Sequence, residues 1–178
     1  MRKGNRFPCF AYATVLAAQL KVAGFRAWVL YFKTKDIETL MSGGGHVIKE
    51  VFLHKLQKWV YVDGQFNAMP SLNGIPLNAV EFQTAIKNSF KKLEIKSLEI
   101  VNKTGYVNFV NSYLYFLDCS FDQRDGFVVN RNKVNGNKSL MSVPQNAANP
   151  KLMLSFGSIK IDHCEYTNLL KDFYAKPE

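Results

Sequence analysis

Three side chains in the first half of the chain have the types and spacing for nucleophilic acyl chemistry: Cys9, His46 and Asp63. A thiol attacks acyl carbon well only as thiolate, and a helix N-terminus lowers its pKa by placing unpaired N–H groups and the positive end of the dipole beside the sulfur. Cys9 sits where that effect is available, directly after Pro8 and at the start of CFAYATVLAAQLKVAG. Arg2, Lys3 and Arg6 lie just upstream, although the field of solvated cations is largely screened by salt. Position alone does not make a nucleophile, because a cysteine at a helix start is more often a small buried hydrophobe. A base and an orienting carboxylate are needed as well. His46, behind three glycines, and Asp63, at the end of KWVYVD, are the candidates for those roles.

The elements that must position these groups are legible in outline. Apolar residues recur at three- and four-residue intervals from about 8 to 23, predicting a helix that Gly24 stops. FRAWVLYFK (25–33) predicts a strand, followed by a polar loop ending in SGGG (42–45). HVIKEVFL (46–53) and KWVYVD (58–63) predict a β-hairpin. A two-residue turn would set His46 directly opposite Asp63, and a four-residue turn would set them diagonally. Both leave the side chains on one face, because side chains alternate with period two; an odd turn would separate them. Residues 64–76, with Gly64, Pro70, Gly74 and Pro76, predict a loop, and about 78–92 a second helix. The aromatic run 106–121 leans toward strand, 122–150 toward a turn-rich loop or loose hairpin, and 152–161 toward strand. No repeat or linker divides the chain, so 1–178 is expected to form one α+β domain.

Bulk properties narrow the function. With 47% hydrophobic and 13% aromatic residues in 178, a globular core can be buried. The net charge of +9 (23 Lys+Arg against 14 Asp+Glu) carries no Arg-rich run, RNA-binding signature or zinc-finger spacing, so no nucleic-acid partner is expected. No apolar run approaches the roughly 20 residues that span a bilayer, and the N-terminus lacks a signal-peptide stretch. The expectation is no membrane and, for the chain as written, a cytoplasmic location. Cys9, Cys119 and Cys164 are an odd, widely spaced set that predicts free thiols. His54, and His163 beside Cys164, lack metal-ligand spacing, so neither metal nor cofactor is expected. Trp28 and Trp59 are expected in the core, Gln65 and Asn67 in a turn where they could line the site, and Glu50 on the His46 face, exposed or paired with a cation.

The order of helix-borne Cys, strand-borne His and strand-end Asp, in NRFPCFAYATVLAAQLKVAGFRAWVL, GGGHVIKEVF and KWVYVDGQFNA, resembles the transglutaminase-like superfamily of papain-like cysteine enzymes, including bacterial members. The likeness covers about 60 residues; GIPLNAVEF, YLYFLDC and YTNLLKDFYAKP are similar more loosely. It implies a papain-like core with the Cys helix packed on an antiparallel sheet, and Cys9 as nucleophile, His46 as base, Asp63 as orienter. It implies a protease, amidase or acyltransferase acting on a protein or peptide. Two departures stand out. Pro8 replaces a small residue and removes a backbone donor near the oxyanion, and Gly64 stands where relatives have proline. Relatives also carry a helical region ahead of the cysteine, to which nothing here corresponds; either another group substitutes or the chain is truncated. A catalytically silent binding module of the same fold is the alternative expectation.

Overall fold

The computed structural model describes residues 8–98, 101–120, 139–154, 159–161 and 164–174. Helix α1 spans Cys9–Val22 and follows Pro8, whose carbonyl accepts the first helical bond from the Ala11 N–H at 2.9 Å. It ends as the glycine predicts: Gly24 takes a left-handed φ of 80°, which brings the Phe25 N–H back to the Leu20 carbonyl at 2.9 Å. Strands β1 (Ala27–Lys33), β2 (Gly45–Leu53) and β3 (Lys58–Val62) follow, then β4 (Ala68–Leu72) and β5 (Ile75–Pro76). Next come α2 (Ala79–Asn88), β6 (Leu93–Ser97), α3 (Lys103–Asn111) and β7 (Phe116–Ser120). Beyond these lie β8 (Ser139–Ser142), β9 (Leu152–Met153), β10 (Ile159–Lys160), β11 (Cys164–Thr167) and the short α4 (Leu170–Phe173).

Six strands form one sheet in the order β11-β8-β7-β1-β2-β3. Its neighbours are antiparallel except β8 and β11, so the sheet is mixed rather than wholly antiparallel. The long connection from 143 to 163 returns the chain to the starting end of β8, and the last strand therefore enters parallel. Alternation divides the sheet into two faces. Leu30, Phe32, Ile48 and Tyr61 pack with Phe82 of α2 and Val107 and Val110 of α3. The opposite face carries Tyr31 and Lys49, and α1 lies across β1 and β2 there, with Phe10 6.5 Å from the Tyr31 ring.

Several expectations are corrected. The second helix stops at Asn88, and β6 follows. Residues 64–76 are not loop throughout: Asn73 and Gly74, at φ 51° and 79°, make a two-residue turn that pairs Leu72 with Ile75, and β4 also pairs with β6. Residues 106–111 are helix, because the Asn102 side chain caps α3 by accepting from the Gly105 N–H at 3.1 Å and Tyr106, Val107 and Val110 make one buried face. Among the described residues of that run, only 116–120 is strand. Of 122–150, expected as a turn-rich loop or loose hairpin, 139–142 is a strand antiparallel to β7, and 122–138 lies outside the described residues. The strand expected over 152–161 is two short paired strands, with 155–158 outside the described residues.

Glu50 is buried, not exposed. Its buried carboxylate accepts from the Trp28 indole (2.9 Å), the Ala79 N–H at the start of α2 (2.8 Å) and the Tyr174 hydroxyl (3.0 Å). Trp28 and Trp59 stack beside it at 4.0 Å, in the core as expected. Glu50→Ala would orphan three buried donors and should destabilise the fold by about 3 kcal/mol or more, read by urea denaturation. A change below about 1 kcal/mol would contradict that.

Candidate active site

The hairpin β2–β3 closes with the four-residue turn 54–57, in which Gln57 takes φ 52°. The register pairs Lys49 with Val62, so Asp63 falls diagonal to His46 on the same face. His46 Nε2 and Asp63 Oδ2 stand 2.9 Å apart. A carboxylate only accepts, so Nε2 carries the proton and Nδ1 is the nitrogen available to the thiol. Cys9 is half-buried at the first turn of α1, and hydrogen bonding with His46 is the largest influence holding its thiol below the ordinary value. Burial opposes this; the imidazolium charge and the Val47 and Phe10 N–H groups reinforce it. Burial would push His46 down, but hydrogen bonds to Asp63 and Cys9, and their charges, outweigh it and raise His46 to about 9. The three residues singled out in the sequence thus converge.

Asp63 is fully buried and saturated with donors. Oδ1 accepts from the Gln65 N–H (2.9 Å) and the Phe66 N–H (3.3 Å), and Oδ2 also accepts from the Tyr106 hydroxyl at 3.1 Å. The backbone of Asp63 pairs with Ala68, making 64–67 a tight turn with Asn67 at φ 48°. Gln65 and Asn67 are therefore turn residues, and both also line a cleft. Gly64 has a steric reason: a Cβ there would meet Leu16 Cδ2 at 3.2 Å and the Tyr12 carbonyl at 3.4 Å, so glycine lets α1 close onto the turn.

Sequence reasoning missed Tyr61, Tyr106 and the rings around His46. Tyr61 and Tyr106 hydroxyls are 2.7 Å apart; since Tyr106 donates to Asp63, its oxygen accepts from Tyr61. Burial first, with the Asp63 charge adding to it, raises both phenols well above their ordinary value and keeps them donors. Phe66, Phe109 and Tyr113 surround the imidazole at 6.2, 5.2 and 6.0 Å between ring centroids. The signal for this group was the 3–4 spacing of Tyr106, Phe109 and Tyr113 after the Asn102 cap.

Phe66 and Phe109 also line a cleft of about 700 Å³ with Tyr12, Gly64, Asn67 and Asn102. Tyr113 borders a second groove of about 690 Å³ with Thr34, Leu40, Gly43 and Ser112. Each cleft therefore shares an aromatic side chain with the rings around His46.

Compared with protein-family models, curated proteins and solved structures, the chain finds no match. Its function rests on its own geometry. His54 is exposed in the hairpin turn, and His163 lies outside the described residues. Cys119 and Cys164 are buried free thiols remote in sequence from Cys9. Among the described residues, no three His, Cys, Asp or Glu side chains cluster as metal ligands, and no helix is long and apolar enough to cross a membrane.

Proposed function

We propose that the protein is a cysteine-dependent acyl-transfer enzyme of transglutaminase-like type with a papain-like core, acting on amide bonds of a protein or peptide. The observation that carries this reading is the buried 2.9 Å contact between His46 Nε2 and Asp63, and the lowering of the Cys9 thiol by that same imidazole supports it. Nucleophile, base and orienter stand in the order the chemistry requires. The Cys9 thiolate adds to the amide carbon; His46 gives its Nδ1 proton to the leaving nitrogen as the C–N bond breaks, leaving a thioester. Neutral His46 then takes a proton from the incoming water or amine, whose oxygen or nitrogen attacks the thioester carbonyl, and the thiolate departs. The positive charge that develops on the imidazole is balanced throughout by Asp63. Because Cys9 is only half-buried, water reaches the thioester, which favours hydrolysis over transamidation.

The direct test uses casein as acyl donor, with ammonia and new amino termini as readouts of hydrolysis and a fluorescent primary amine as alternative acceptor. Product should form with the native chain and be lost in Cys9→Ala, and acid quenching should trap an acyl group on Cys9 that hydroxylamine removes. Product formation that survives Cys9→Ala would overturn the proposal, and binding of casein with neither product nor adduct would leave the binding-module reading.

A further inference from the structure

Asp63 sits one step from the reacting atoms, so whatever fixes its carboxylate also fixes His46. The Gln65 and Phe66 N–H groups hold only Oδ1. Oδ2, the oxygen that meets His46, is held from α3 by the Tyr106 hydroxyl. The same helix presents Phe109 to the imidazole, and Tyr113 just beyond it packs there too, so the hydroxyl ties the end of β3 to the wall around His46. Tyr61, two residues before Asp63 on β3, donates to Tyr106 at 2.7 Å and thereby directs the Tyr106 proton at the carboxylate.

We propose that Tyr106, aligned by Tyr61, is a positioning residue for the Cys9–His46 pair, acting through Asp63. This inference rests on the acyl-transfer reading and adds to it a hydroxyl relay that comes from the core side of the sheet. Removing the hydroxyl has two consequences of opposite sign. The Asp63 carboxylate loses a donor that shares its charge, which alone would strengthen its pull on the imidazolium and lower the thiol midpoint. Oδ2 also loses its fixed point, so the Asp63–His46 bond loosens and the imidazolium supports the thiolate less well. A positioning role requires the second effect to prevail, so the midpoint rises. A purely structural role would lower the melting temperature and leave the midpoint unmoved.

The experiment follows iodoacetamide labelling of Cys9 by peptide mass spectrometry from about pH 4 to about pH 10 in the full chain and in Tyr106→Phe, Tyr61→Phe and His46→Ala, with melting temperatures recorded in parallel. Tyr106→Phe should raise the labelling midpoint by about half to one pH unit, Tyr61→Phe by less, both falling short of His46→Ala. A Tyr106→Phe midpoint equal to or below that of the native chain, while His46→Ala raises it, would overturn this proposal and leave the enzyme reading standing. A His46→Ala profile that does not move would overturn both. Should Tyr106→Phe fail to fold, the sign of the Tyr61→Phe shift decides.

Discussion

Replacing His46 with alanine should slow the alkylation of Cys9 at pH 6 by roughly one to two orders of magnitude. The hydrogen bond from His46 is the largest influence lowering the Cys9 thiol, and the imidazolium charge adds to it. Without both, only the helix terminus and the Val47 and Phe10 N–H groups remain against the cost of burial. The midpoint then climbs toward the unperturbed thiol value of about 8.5, and the thiolate fraction at pH 6 falls about tenfold for each unit the midpoint lies further above 6. Buried Cys119 and Cys164 should stay unlabelled in the native protein at that pH, giving an internal reference within each digest. The alkaline side separates labelling from turnover. Above pH 9 His46, whose pKa is raised to about 9, loses its proton while the thiolate persists. Labelling should hold its rate there, whereas amide cleavage, which needs that proton for the leaving nitrogen, should decline. Peptide mass spectrometry after timed alkylation measures the first, and casein hydrolysis across the same pH range the second. Equal labelling of native and His46→Ala protein at pH 6 would remove the ion pair from the mechanism.

The parts of this site visible in the sequence are those that short-range rules govern. An even turn in the β2–β3 hairpin suffices to bring His46 and Asp63 to one face, and the four-residue turn at 54–57 meets that condition. The helix carrying Cys9 is bounded in the sequence by Pro8 and Gly24. What closes the site comes from farther along the chain. Tyr106 reaches Asp63 across 43 positions, a contact no local pattern encodes, and aromatic density masked the helix that delivers it. The β4–β5 turn was within reach, since Asn73-Gly74 between apolar residues is the strongest short hairpin signal; Pro70 and Pro76 obscured it, although Pro70 is buried within β4. Glu50 shows a different limit. A carboxylate in mid-strand ordinarily faces solvent, and only the assembled fold reveals that an indole, a helix N-terminus and a tyrosine converge on it.

Lys49 stands beside Glu50 on the opposite face and should give the other large effect: Lys49→Met is expected to stabilise the protein by about 3 to 4 kcal/mol at pH 7. Its side chain is wholly buried on the face that α1 covers, and its Nζ has no hydrogen-bond partner among the described residues. Burial, with the Lys21 charge on the last turn of α1 adding to it, lowers its pKa to about 7. In the unfolded chain the amine titrates near 10.4, so between about pH 7 and 10 the unfolded state binds the extra proton and stability rises with pH, by about 1.4 kcal/mol per unit. Below pH 7 both states are protonated and the penalty is constant. Methionine has similar length, fills the space and carries no charge, so it removes the penalty. The gap between variant and native protein should therefore be widest at or below pH 7 and close to less than about 1 kcal/mol near pH 10. Taking the difference between the two chains cancels the opposite contribution of His46, whose raised pKa means that its stabilisation is lost as pH rises through about 9. Urea unfolding at pH 6, 7, 8, 9 and 10 reads the gap directly. A gap that stays constant with pH would mean that Lys49 remains charged in the folded state. A destabilised methionine variant would mean that the amine is satisfied in the fold, and that α1 does not hold Cys9 in place over a buried, unpaired lysine.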